Sequence, residues 1–218
     1  MALTPSAGRV AKNKMKKDSG AEHYFTKSPR SKPKFALIRT CLRGKQFDFL
    51  TASGVFSKMR VDLGTRLLVE SMILPEEGCV LDVGCGYGAV GIVAAVLNPR
   101  LRVFMVDVNE RAVWLARQNA ERNHVDNAEV ERGFLYEPFN DLTFDCVLSN
   151  PPISAGMQTV KAIIDGASKH MNDKAVFQIV VRSKISGKRL LGFFEEAFGN
   201  VHVLARKSGY RVLIAEKK

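Results

Sequence analysis

From Cys79 to the C-terminus, short and nearly continuous apolar runs alternate with stretches of helical periodicity, and this alternation constrains the fold more than any other feature. The strand candidates are Val80–Val83, Val103–Val106, Glu129–Arg132, Phe144–Leu148, Val176–Val181, Val201–Leu204 and Arg211–Ala215. Between them lie helical patterns at Ala89–Leu97, Arg111–Asn123, Met157–His170 and Gly187–Phe198. Strands that are apolar on both faces need cover on both, and interleaved helices supply it. The expected class is therefore α/β, with a doubly wound, mostly parallel sheet. Ala205 to Tyr210 is too short for a helical crossover, so the last two strands must pair antiparallel as a hairpin.

Upstream, Phe35-Ala-Leu-Ile-Arg-Thr and Phe47-Asp-Phe-Leu-Thr flank Arg43-Gly44-Lys45, the pattern of a second, small β-hairpin. Asp62 then caps a helix, Leu63 to Met72, that stops before Pro75. Residues 1–33 are rich in Lys, Ser, Pro and Gly, so at least the first 20 are expected to be mobile, with order beginning near Tyr24.

The net charge of +11 is not spread along the 218 residues. Residues 1–60 hold 14 Lys/Arg against 3 Asp/Glu, whereas residues 61–218 hold 19 of each. A neutral body behind a basic front end points to a polyanionic partner for that end, nucleic acid before membrane, because no apolar helix face accompanies the charges. A hydrophobic fraction of 46% with 25% charged residues excludes collagen-like, disulfide-scaffold and wholly disordered classes. Cys41, Cys79, Cys85 and Cys146 show no C-x-x-C spacing and the four histidines are scattered, so no metal site is readable. The longest apolar run, Gly88 to Leu97, is far short of the roughly 20 residues that span a bilayer. The expectation is a cytoplasmic protein with reduced thiols and no membrane partner. A transit peptide would also start basic and free of acid, but here Lys dominates over Arg.

The first strand runs into Val80-Leu81-Asp82-Val83-Gly84-Cys85-Gly86-Tyr87-Gly88, and a helix follows at once. Glycines there let the backbone turn sharply and approach a ligand at the carboxyl edge of the sheet, where open α/β folds bind. The next strand ends in Asp107, an acid placed for the two hydroxyls of a ribose. Gly86-x-Gly88-x-x-Gly91 also spells a dinucleotide fingerprint with Asp107 at suitable spacing, which keeps a nicotinamide-dependent oxidoreductase as an alternative. Against it, the strand already ends at Gly84, and Asp82 would set a carboxylate beside the pyrophosphate. That acid suits a cationic, phosphate-free ligand carrying an amino group and a sulfonium, a description S-adenosylmethionine fits.

The fourth strand runs into Asn150-Pro151-Pro152-Ile153. Two prolines stiffen this turn, so the Asn150 carboxamide and the Pro151 carbonyl can be held at the same sheet edge as the glycine loop. These two acceptors match the two N–H bonds of one planar amino group. Gripping both directs the nitrogen lone pair out of the plane and favours the positive charge that develops as nitrogen is alkylated, with no strong base required.

Asp82-Val-Gly84-Cys-Gly86-Tyr-Gly88, Asp107 and Asn150-Pro-Pro-Ile153 resemble the motifs of class I S-adenosylmethionine-dependent methyltransferases that act on exocyclic or amide nitrogen. Gly54-Val-Phe56-Ser-Lys-Met-Arg-Val-Asp62-Leu-Gly64-Thr65 and Gly209-Tyr-Arg211 are similar to the methyltransferase small domain group, which includes bacterial small-subunit ribosomal RNA guanine-N2 methyltransferases and archaeal single-domain relatives. The resemblance covers about residues 23–218 and implies a Rossmann-like, seven-stranded sheet with an antiparallel last strand. It divides the chain into a mobile basic tail (1–22), a basic extension carrying the hairpin (23–60) and a methyltransferase domain (61–218).

By the same resemblance, Asp82, Gly84 and Gly86 line the methionine moiety, with Gly88 completing the loop, and Asp107 holds the ribose. Val108, Asn109 and Phe134 lie near the adenine, and Thr65 closes the cofactor pocket. Asn150 and Pro151, with Pro152 and Ile153, hold the target amine, and Asn150 also borders the cofactor. The implied reaction is methylation of an exocyclic amine, the N2 of a guanine, of ribosomal RNA, with the first 60 residues, Arg182, Lys184, Lys188 and Arg189 on phosphate. Two departures stand out. Ile153 replaces the Tyr or Phe that often stacks on a flat substrate, leaving Phe56 as a candidate for that role, and a second degenerate domain used by larger members for RNA docking is lacking. A protein glutamine-N5 methyltransferase of the release-factor type uses the same Asn-Pro-Pro turn and remains an alternative, as does a non-catalytic RNA-binding protein.

Overall fold

The hairpin at Arg43-Gly44 closes with both turn residues left-handed, at φ 50° and 76°, as a two-residue turn matched to strand twist requires. Arg43 tolerates this because its backbone N–H donates to Glu70 Oε1 and its guanidinium to the Glu70 carbonyl. The computed structural model describes residues 32–151, 156–184 and 187–218. The basic tail, Tyr24, and Pro152 and Ile153 of the Asn-Pro-Pro-Ile turn lie outside the described residues.

The hairpin strands are β1 (Phe35–Leu42) and β2 (Lys45–Ala52). Helix α1 (Leu63–Ser71) follows, capped by Asp62. Then come β3 (Gly78–Val83), α2 (Ala89–Leu97), β4 (Leu101–Asp107), α3 (Glu110–Arg122) and β5 (Ala128–Arg132). The second half holds β6 (Phe144–Ser149), α4 (Gly156–Lys169), β7 (Met171–Arg182), α5 (Lys188–Phe198), β8 (His202–Lys207) and β9 (Tyr210–Glu216). The main sheet has seven strands in the order β5-β4-β3-β6-β7-β9-β8. Neighbours from β5 to β7 pair parallel, and β9 pairs antiparallel with both β7 and β8. The chain winds outward from β3 in one direction and from β6 in the other, so β3 and β6 flank the topological switch point where such sheets bind ligands.

Side chains alternate across each strand, so adjacent β3 residues serve opposite cores: Val80 packs with α1, α2 and α3, Leu81 with α4 and α5. Phe47 and Phe49 of the hairpin belong to the first core, together with Leu68, Ile92 and Leu115. The hairpin is thus packed onto the body. Its outer edge is held by α3, where the Asn119 carboxamide accepts from Leu50 N–H (2.6 Å) and donates to Leu50 C=O (2.9 Å). One turn on, Asn123 repeats the exchange with Asp48. Two side chains spaced i, i+4 on a helix therefore stand in for a third strand and satisfy an edge that would otherwise be exposed.

One element departs from the sequence pattern. β7 starts at Met171, five residues before the apolar run at Val176, because Asn172-Asp173-Lys174 carries no apolar alternation. Lys174 is left-handed (φ 64°), and Asn172 Nδ2 donates to Asp145 Oδ1 (2.7 Å), so side-chain bonding holds a strand that hydrophobicity does not announce.

Candidate active site

At the end of β3 the chain turns back across the sheet edge, with Gly84 and Cys85 N–H both donating to Val106 C=O. Gly84 (φ 74°) and Gly86 (φ 58°) are left-handed, and a Cβ at either would meet nothing within 4 Å. The backbone needs glycine there, and the open side faces a cavity of about 760 Å³. Gly88 caps α2 and stands behind the cavity wall. Gly91 is glycine for another reason: a Cβ there would lie 2.5 Å from Met105 Cγ, so its absence lets α2 settle on β4. The third glycine of the apparent dinucleotide fingerprint thus serves helix packing.

Two carboxylates frame the loop. Asp82, 1% exposed, accepts Gly91 N–H (2.9 Å), and burial, with the negative charge of Asp107 adding to it, pushes its carboxyl up to about 7. Asp107 accepts Gly86 N–H on one oxygen and Asn109 N–H on the other, tying the loop to the end of β4. Burial raises its carboxyl as well, with these N–H groups opposing. Val108 and Asn109 line the cavity beyond Asp107, and Phe134, about half exposed, lines it beyond β5. The Asn109 side chain is engaged in structure: its oxygen caps α3 and its Nδ2 donates to Gly54 C=O.

Across the cavity, β6 ends at Ser149, whose hydroxyl donates to Val83 C=O and pins β6 to β3. Asn150 and Pro151 follow on the cavity wall. Asn150 Nδ2 donates to Asp62 Oδ2 (3.0 Å) and to Thr65 Oγ1 (2.8 Å), and Thr65 in turn donates to Asp62 Oδ2 from both N and Oγ1. A carboxylate only accepts, so the Asn150 atom beside it must be the amide nitrogen. Both N–H bonds of that amide are used, and Oδ1 is left as its acceptor.

Asp62, read from the sequence only as a helix cap, is therefore the hub of this side of the site. Its other oxygen receives the Tyr210 hydroxyl (3.4 Å), and the Tyr210 ring lies against Gly64, where a Cβ would stand 2.9 Å away. The signal was present in the capping spacing Asp62-x-x-Thr65, but only the fold brings Tyr210 and Asn150 to it. Phe56 and Arg182 also line the cavity. Lys184, Lys188 and Arg189 do not; they are exposed. Among the described residues no group of three or more His, Cys, Asp or Glu side chains could hold a metal, and no helix is long and apolar enough to cross a membrane.

A glycine turn and two buried acids stand on one side of the switch point and an oriented carboxamide on the other, in the fold of an S-adenosylmethionine-dependent methyltransferase. The chain belongs to the methyltransferase small domain family, whose sequence profile matches residues 46–214. It is 39% identical over 199 residues to the uncharacterized protein YbxB of Bacillus subtilis (strain 168), covering 90% of this chain and 99% of that one. It is 33% identical over 168 residues to ribosomal RNA small subunit methyltransferase C of Citrobacter koseri, covering 74% of this chain and 47% of that protein. The chain thus spans about half the length of that relative. Among solved structures, the T. thermophilus 16S rRNA N2 methyltransferase RsmC, in complex with AdoMet and guanosine, superposes with a TM-score of 0.76 at 26% identity over 87% of this chain and 52% of that one.

Proposed function

We propose that the protein methylates an exocyclic amine of ribosomal RNA, the N2 of a guanine, using S-adenosylmethionine. The observation that carries this reading is the orientation of Asn150: Asp62 and Thr65 consume both its N–H bonds, so Oδ1 is the atom available to a donor amine. S-adenosylmethionine brings a methyl group on a sulfonium, electrophilic enough that nitrogen needs no strong base. Asp82 lies where it can face the amino group and positive charge of the methionine part. Asp107, with both oxygens already engaged by backbone N–H groups, offers its remaining lone pairs to the ribose hydroxyls. Val108 and Phe134 supply apolar surface for the adenine. Asn150 Oδ1 and the Pro151 carbonyl accept from the two N–H bonds of the target amine and turn its lone pair out of plane, so the rate gain comes from positioning. The guanine and ribosomal RNA assignment rests on the relatives named above and on the basic front end. We assign the hairpin-bearing extension to the same RNA, and Pro152 and Ile153 to the turn that holds the amine.

Nucleoside mass spectrometry of ribosomal RNA from a deletion strain tests the proposal. Loss of one N2-methylguanosine, restored by the wild-type gene and not by Asn150→Ala, is the expected result; an unchanged set of methylated nucleosides, with a methylated glutamine missing from a protein, supports the glutamine reading instead.

A further inference from the structure

Residues 61–218 hold equal numbers of basic and acidic side chains, yet their charges are unevenly placed. Segments 182–189 and 202–211 contain no Asp or Glu, and the fold brings Arg182 and Ser183 of the first against Gly209 and Tyr210 of the second. Arg182, at the end of β7, pairs in register with Tyr210 of β9, which pairs with Lys207 of β8. In the next row Arg206 stands directly opposite Arg211. Ser183 N–H donates to Gly209 C=O (2.8 Å), which seats Lys184 beside the β8–β9 turn. The chain then enters α5, whose first turn carries Lys188 and Arg189 and no acid.

Three observations mark this corner as more than solvated surface. Like charges directly opposite on paired strands are destabilising, and Arg206 and Arg211 have no acid to offset this. None of these seven cations forms an ion pair with a described residue, and Glu196, further along α5, is engaged by Lys161. Among the described residues the Arg211 Nε is buried with no hydrogen-bond partner, a costly arrangement. The corner is also continuous with the cavity, since Arg182 and Tyr210 line both.

We infer that this corner is a second RNA-docking surface, which grips phosphates of the strand next to the target nucleotide while the N-terminal charges hold a more distant part. Guanidinium forks suit phosphate oxygens, and the partial positive charge at the α5 N-terminus adds to the field. The inference rests on RNA being the substrate. Because Arg182 also lines the cavity, this surface sets which way the strand enters.

The test is the salt dependence of binding of a single-stranded 20-nucleotide RNA to the full chain. In the variant Lys188→Gln/Arg189→Gln/Arg206→Gln/Lys207→Gln, the slope of log affinity against log salt is expected to fall by about 3, roughly 0.7 per lost phosphate contact. Arg100→Gln/Arg122→Gln, which removes two exposed cations elsewhere, is expected to leave the slope unchanged. Unaltered affinity for S-adenosylhomocysteine shows that each variant is folded, and Lys188→Gln/Arg189→Gln alone, expected to lose about half the effect, replaces the fourfold variant if it is not. An unchanged slope in a folded variant, with the wild type binding RNA, overturns this surface alone. A wild type that binds no RNA even at low salt overturns the RNA substrate, and this surface with it.

Discussion

The Asp62 carboxylate and the Asn150 carboxamide, 88 residues apart in the chain, meet at 3.0 Å, and their meeting fixes which atom of the amide faces the cavity. Asp62→Asn tests this cleanly, because asparagine caps a helix as well as aspartate does and α1 should survive. The substituted amide can present either atom, so the Asn150 orientation is no longer forced. Steady-state kinetics should show kcat lower by about tenfold to hundredfold with S-adenosylmethionine affinity little changed. Asn150→Ala should cost at least about 10²–10³-fold in kcat, again sparing cofactor binding measured by calorimetry.

Asp82 gives the protein a pH signature. Its carboxyl is raised from 3.8 to about 7 by burial, so the native state keeps a proton that the unfolded chain releases. Its contribution to stability is complete below the unfolded value and is lost as pH rises to about 7, about 4 kcal/mol in all. The ligand-free protein should therefore lose thermal stability from this group between pH 4 and 7, and Asp82→Asn should flatten that part of the Tm profile. Affinity for S-adenosylmethionine should rise in the wild type between about pH 6 and 8 as the acid ionises, and stay flat in the variant.

Gly86→Ala and Gly91→Ala should fail differently. At Gly86 the Cβ has room, so the cost is backbone strain of about 1–2 kcal/mol together with weaker cofactor binding, because the methyl group enters the cavity. At Gly91 the Cβ would press on Met105, so the loss should appear as about 1–3 kcal/mol of stability, read by denaturant unfolding.

Asn119 joins three parts of the molecule, since it also donates to Tyr87 C=O in the glycine loop (2.9 Å). Asn119→Ala leaves the part-buried backbone groups of Leu50 and the buried Tyr87 carbonyl unsatisfied and should destabilise by about 2–4 kcal/mol. Hydrogen exchange should show β2 losing protection before the main sheet. Equal loss in both would show that the hairpin does not open separately.

Much of this protein was legible without its structure, for reasons specific to its elements. The strands of the parallel sheet are apolar on both faces, so their runs show wherever a strand is central; the start of β7 is not legible because residues 172–174, after the buried Met171, are held by the Asn172–Asp145 hydrogen bond rather than by burial. Helix α2, apolar nearly all round and bounded by Gly88 and Asn98, was legible to the residue. The glycine loop, Asp107 and Asn150-Pro151 were readable because each lies at the end of a strand, and a parallel sheet puts all such ends on one edge. That much is local: periodicity and turn chemistry act over a few residues, and the sequence carries them directly. The tertiary structure alone decided what depends on contacts between distant segments. It turned Asp62 from a helix cap into the partner that orients Asn150, set Tyr210 against Gly64, and spent Gly91 on packing. It also set several cations of an electrically neutral body near one another, because charge along a chain says nothing of charge in space until strand order brings residues 182 and 210 side by side.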